Sequence, residues 1–224
     1  MTRGKKWRRV WQDTTHVKET LRAWGAPTTP PQTWGLGKYA RLEPLPSLIR
    51  GASLLDVGCG FGHGYVLVRD RVKQYRGVDV AARVAVAKQH FPEGDFVVGD
   101  IYNLAGQGLY DTVAAIQVLI HLPTLEVPLQ QLWACTAHTL IFTIWPTKGA
   151  GRVRVGPTGT LGHTHTAAEL AEVFGRFTRV QSVESWSVPS KGRTIWYFRV
   201  VKGVPGVEVT PELFSGHQTK RWRL

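Results

Sequence analysis

Between residues 53 and 145, short apolar runs alternate with stretches of mixed polarity, and most runs break at an acid, a glycine or an amide. Such runs, rich in branched residues and too short for helices, read as buried parallel strands. They fall at Ser53–Val57, Gln74–Val78, Asp95–Val98, Asp111–Ile116 and Thr139–Trp145. Helices are predicted from about Gly62 to Arg71, from Ala81 to about His90 and around Leu129–Ala137. This alternation implies an α/β fold with a mostly parallel sheet covered on both faces. Upstream, His16–Trp24 reads as a short helix closed by Gly25, and 37–50 as a helix interrupted at Pro44 and Pro46. Downstream, residues 146–165 read as a long loop. Thr166–Phe174 follows as a helix with Thr166 at the N-cap and Glu169 completing a capping box. Arg179–Val188 and Thr194–Lys202 read as a hairpin joined across Pro189-Ser190-Lys191-Gly192-Arg193.

The first strand ends in Asp56-Val57-Gly58-Cys59-Gly60-Phe61-Gly62-His63-Gly64. Glycines at alternate positions permit a tight turn with positive φ and let the backbone approach a ligand closely. A helix opening after them would turn its N-terminal amides toward that ligand. The dinucleotide fingerprint G-x-G-x-x-G does not fit. Its third glycine is His63 when counted from Gly58, and Tyr65 when counted from Gly60. The spacing is G-x-G-x-G with Asp56 two residues ahead, which resembles motif I of the class I S-adenosylmethionine-dependent methyltransferases.

Three further strand ends extend the resemblance. The second strand ends at Asp79, where a carboxylate can accept both ribose hydroxyls, and Val80 follows it. The third ends in Val98-Gly99-Asp100-Ile101; the resemblance implies that the acid bonds the adenine amino group and that the apolar residue packs on the ring. The fourth runs from Asp111 to Gln117-Val118-Leu119-Ile120-His121, similar to the family segment that closes on Val-Leu-x-His. Many members have Glu or Ser where this chain has Gln117. A terminal hairpin matches the antiparallel last strand of the family. The resemblance spans roughly residues 50–202. It implies a doubly wound, mostly parallel seven-stranded sheet and S-adenosylmethionine as cofactor. Candidate cofactor-binding residues are Asp56, Gly58, Cys59, Gly60, Asp79, Val80, Asp100, Ile101 and Gln117.

His121 is the candidate catalytic or substrate-orienting group, since an imidazole can take a proton from a hydroxyl or amine near neutral pH. His163 and His165 stand two apart without a third ligand nearby, so no metal site is expected. Neither Asn/Asp-Pro-Pro-Tyr/Phe after the fourth strand nor a Pro-Cys or Thr-Cys nucleophile is present, which argues against two classes of nucleic-acid methyltransferase.

Charge changes this picture only at the ends. The net charge is +12 over 224 residues. Residues 1–50 hold 10 Lys/Arg against 3 Asp/Glu, residues 51–144 hold 6 against 8, and residues 145–224 hold 12 against 5. Residues 1–35 also carry Trp7, Trp11, Trp24 and Trp34, read as anchors onto the domain in preference to base-stacking groups. The chain divides into a basic, Trp-rich extension (1–35), a methyltransferase domain (36–204) and a basic tail (205–224). No apolar run reaches membrane-spanning or signal-peptide length, and the two cysteines suggest no disulfide framework, so a cytoplasmic protein is expected. The favoured reading is methyl transfer to an oxygen or nitrogen of a small molecule. An RNA methyltransferase using the basic flanks, or a non-catalytic binding module on the same fold, are the alternatives.

Overall fold

The computed structural model of the protein describes residues 13–148, 153–155, 161–190, 193–204 and 209–214. Trp7, Trp11, the hairpin residues Lys191 and Gly192, and most of the basic tail lie outside these. Among the described residues, three short α-helices lead in: α1 (Thr14–Trp24), α2 (Lys38–Leu42) and α3 (Leu45–Leu48). The alternating region gives β1 (Ser53–Val57), α4 (His63–Val68), β2 (Gln74–Asp79), α5 (Ala81–His90), β3 (Phe96–Val98) and β4 (Tyr110–Ala115). It continues with α6 (Glu126–Cys135), β5 (Thr136–Pro146), β6 (Val153–Val155), β7 (Leu161–His165) and α7 (Ala167–Gly175), and ends in β8 (Val180–Ser190) and β9 (Arg193–Lys202).

Five parallel strands lie in the order β3-β2-β1-β4-β5, β9 adds antiparallel to β5, and β8 pairs antiparallel with β9. These seven strands make the doubly wound, mostly parallel sheet with an antiparallel last strand that the sequence implied, and two further strands, β7 and β6, extend the sheet to nine. The strand order reverses between β1 and β4, so the ligand crevice opens outside their carboxyl ends. Alternate residues of each strand face opposite layers. Leu54, Ala114, Ile116, Ile141 and Tyr197 meet α3, α4 and α5 on one side. Leu55, Val113, Leu140, Phe142 and Phe198 meet α6 and α7 on the other.

Two expectations are corrected. Residues 146–165 contain two strands: β7 pairs parallel with Trp145 and Pro146, and β6 pairs antiparallel with β7. This ribbon rests on tertiary pairing with the end of β5, which a stretch with little alternation and many glycines does not advertise. The helix after the glycine loop is also shorter than predicted, ending at Val68 rather than near Arg71. The capping box of α7 forms as expected, with the Glu169 amide donating to the Thr166 hydroxyl at 3.0 Å and the Thr166 amide donating to Glu169 at 2.7 Å.

Candidate active site

The crevice is built first by backbone. Gly58, Gly60 and Gly62 all take positive φ, at 79°, 62° and 89°. At Gly58 a side chain is excluded twice over, because an added Cβ would lie 2.2 Å from a Val118 methyl. Its amide donates to the Val78 carbonyl at 2.7 Å, pinning the loop to the end of β2. Asp79 completes the fastening: its carboxylate accepts from the Gly60 amide and from the Val80 amide, both at 2.7 Å. A carboxylate has about four lone-pair sites, so two acceptor positions remain for a ligand's hydroxyls.

Asp56 lies beneath the loop, 5% exposed, with the Tyr75 hydroxyl donating to it at 2.9 Å. Burial is the main reason its carboxyl is raised to about 6, with the Tyr75 bond and the Lys38 charge opposing. Gly64 makes room for it, since an added Cβ there would sit 2.7 Å from the Asp56 oxygen. Cys59 is buried and its thiol is pushed well up by desolvation, so this residue offers the crevice its backbone only. At the end of β3, half-buried Asp100 accepts from the Tyr102 amide at 3.0 Å, and Ile101 is buried beside it.

Gln117, two residues past the end of β4, has φ 61°, a conformation non-glycine residues seldom adopt. Its backbone and side-chain N–H groups donate to the Thr143 hydroxyl at 2.7 and 3.1 Å, and its side-chain oxygen is buried without a protein donor. One turn on, His121 is half-buried, and its Nδ1–H donates to the Leu161 carbonyl of β7 at 2.9 Å. That bond assigns the proton to Nδ1 in the neutral ring and leaves Nε2 as the acceptor nitrogen. Burial lowers its pKa to about 4; Arg83, His163 and His16 add to this, and the Leu161 bond opposes it. The imidazole is therefore neutral at physiological pH. His165 is buried with Nδ1 3.7 Å from Glu169, and burial lowers both it and His163.

Sequence reasoning did not find the residues that roof the crevice. Trp24 closes α1 over the glycine loop, its ring 3.6 Å from where a Cβ on Gly60 would be, and packs on Phe61 with centroids 5.5 Å apart. His63, fully buried, donates to the Gly25 carbonyl at 3.1 Å and meets Trp34 edge-on at 4.7 Å. Arg83, 2% exposed, lies 4.9 Å from the Phe61 ring and 5.1 Å from the Trp24 ring. Lys38 holds its ammonium 4.0 Å over Trp24. The tryptophans were legible as anchors; which surface they anchor to was not.

Comparison with known proteins bears on this geometry. Residues 55–138 match the family model of a methyltransferase domain, a span running from the glycine loop through Asp79, Asp100, Gln117 and His121. Over that span the chain is similar to a methyltransferase domain.

Solved structures of the fold surround it. The magnesium protoporphyrin IX methyltransferase of Synechocystis with bound S-adenosylhomocysteine superposes with a TM-score of 0.66 at 20% identity, covering 89% of this chain and 100% of that one. The 1,6-didemethyltoxoflavin-N1-methyltransferase of Burkholderia thailandensis, with its acceptor and S-adenosylhomocysteine bound, gives 0.64 at 19%, covering 91% and 92%. A curated relative, the chloroplastic magnesium protoporphyrin IX methyltransferase of Arabidopsis thaliana, is 24% identical over 178 residues. The match takes in 70% of this chain and 54% of that protein, so the chain spans about half the length of this relative. Among the described residues no helix is long and apolar enough to cross a membrane.

Proposed function

We propose that the protein transfers a methyl group from S-adenosylmethionine to an oxygen or nitrogen of a small-molecule acceptor. The observation that carries this reading is the convergence of the glycine loop, Asp79, Asp100 and Gln117 on one crevice at the switch point of the sheet. In this reading, the Asp79 oxygens left over from the loop accept the ribose hydroxyls. Asp100 faces the adenine amino group, with Ile101 and Val80 against the ring. The Gly58-Cys59-Gly60 backbone and Asp56 hold the amino-acid end, and the unpartnered Gln117 oxygen takes a donor from the ligand.

The cofactor supplies an electrophilic methyl on a sulfonium, and what the chain must add is alignment of the nucleophile behind it. His121 suits that role better than the role of a strong base. Its neutral Nε2 accepts the hydrogen bond of an acceptor O–H or N–H, and the Leu161 bond fixes the ring's orientation. Trp24 packs over the glycine loop and Leu161 of β7 bonds His121, covers that suit a small acceptor better than a polymer. Relatives named for small-molecule acceptors support the same choice. We take residues 36–204 as the working domain, with 13–35 as its cover.

The test is transfer of label from methyl-labelled S-adenosylmethionine to a panel of small aromatic amines, phenols and carboxylic acids, with bulk RNA in parallel. Label should appear in a low-molecular-weight product, with a rate that changes little between low and physiological salt. Label retained in RNA, with activity falling steeply as salt rises, would instead establish the RNA reading. His121→Ala should lower turnover on the identified acceptor by about 100-fold while leaving S-adenosylhomocysteine affinity within about twofold. Equal turnover in the variant would remove His121 from the mechanism.

A further inference from the structure

Lys38 opens α2 immediately after Gly37, which takes the left-handed conformation with φ 67°. Its side chain crosses the Trp24 ring, which itself lies on Gly60, so the ammonium stands in the roof over the glycine loop. The charges that reach it come from every side. Asp56 of β1 and Asp79 of β2 favour its charged form, whereas Arg41 of its own helix and Arg83 of α5 oppose it. His63 of α4 is within the same field and is held neutral, its pKa lowered to about 3. Burial is the largest influence and brings Lys38 down to about 7. Among the described residues no carboxylate comes within ion-pair distance of its nitrogen; the two aspartates act from farther off.

A half-buried cation with no carboxylate in ion-pair reach gains from a ligand that supplies one. The amino-acid end of S-adenosylmethionine carries an ammonium and a carboxylate. Asp56 and Asp79 offer negative charge to the first and would repel the second. The carboxylate needs a cation near the loop; Lys38 lies over the Trp24 ring that packs on Gly60, and Arg83 stands 3.9 Å from the position of a Cβ on Gly60.

We infer that Lys38 receives the carboxylate of the cofactor's methionine end, with Arg83 providing fixed positive charge behind it. This rests on the proposed function and adds a cofactor residue that lies outside the family-model span of 55–138. A bound carboxylate favours the charged ammonium, so above pH 7 the complex takes up a proton. Affinity then falls about tenfold per pH unit until the raised pKa of the complex is reached.

Calorimetric titrations at pH 8, in buffers of different ionisation enthalpy, would compare S-adenosylhomocysteine with 5′-methylthioadenosine, which lacks the amino-acid end. The wild-type protein should bind both and take up close to one proton with the first ligand only. Lys38→Met should lose about 10- to 100-fold affinity for S-adenosylhomocysteine and none for 5′-methylthioadenosine. Lys38→Arg should keep the affinity within a few-fold and abolish proton uptake, because a guanidinium stays charged. Undiminished binding of S-adenosylhomocysteine by Lys38→Met, or unchanged proton uptake by Lys38→Arg, would overturn the assignment. A wild-type protein that binds 5′-methylthioadenosine and S-adenosylhomocysteine equally well would overturn it too, while leaving the cofactor reading intact. Binding of neither ligand would overturn both.

Discussion

The carboxyl of Asp56 lies under the first turn of α4 with the Tyr75 hydroxyl as its donor, and burial lifts it to about 6. The folded state therefore holds this proton more tightly than the unfolded chain, whose aspartate titrates near 3.8. The sign follows: ionised Asp56 costs stability above pH 6, and the cost fades as pH falls from 6 toward 3.8. At one pKa unit per 1.36 kcal/mol the penalty is on the order of 2–3 kcal/mol. Asp56→Asn keeps an acceptor for Tyr75 and carries no charge. Thermal melts should show the variant more stable than the wild type at pH 8 and the difference nearly gone at pH 4, while S-adenosylhomocysteine binding weakens. A variant no more stable at pH 8 would show that Asp56 is not strained by its burial. The place of Asp56 directly before the glycines was legible as a candidate site position. Its burial was not, because Gly64 and Tyr75, which set it, are brought there only by the packing of α4 on β2.

Among elements, the strand ends and the glycine loop were the most legible parts of the chain, since they combine an apolar period with residues only a turn can use. The loop geometry makes a graded prediction. Gly58 and Gly106 share a positive φ, at 79° and 84°, but an added Cβ meets Val118 at the first and nothing within 4 Å at the second. Gly106→Ala should cost about 1–2 kcal/mol of backbone strain, and Gly58→Ala about 2–4 kcal/mol once the clash is added. Denaturant melts of the two variants would compare them directly; equal costs would mean that Val118 moves aside freely. The N-cap of α7 is a smaller case of the same legibility: Thr166→Ala should cost about 1 kcal/mol in such melts, and no change would deny the cap a role. The β6–β7 ribbon stayed hidden because its three- and five-residue strands gain their stability from β5, not from their own pattern.

At the scale of the whole molecule, chain order gave a parallel sheet, but the site depends on neighbours far apart in sequence. Leu161 reaches His121, Trp24 reaches Gly60, and Thr143 braces Gln117. No local pattern announces these pairs; they exist because the strand order reverses at β1 and β4 and gathers loops from all parts of the chain over one crevice. The aromatic roof also gives the N-terminal tryptophans within the described residues a place on the cofactor side of the domain. The central claim, that this crevice is built for S-adenosylmethionine, is tested most directly by calorimetric titration of the intact chain with S-adenosylhomocysteine, with NADH as control and Asp79→Asn as comparison. The account predicts binding of S-adenosylhomocysteine alone, weakened about 10- to 100-fold in the variant by loss of the charged acceptor. A folded protein that ignores S-adenosylhomocysteine, or a variant that binds it as tightly as the wild type, would contradict it.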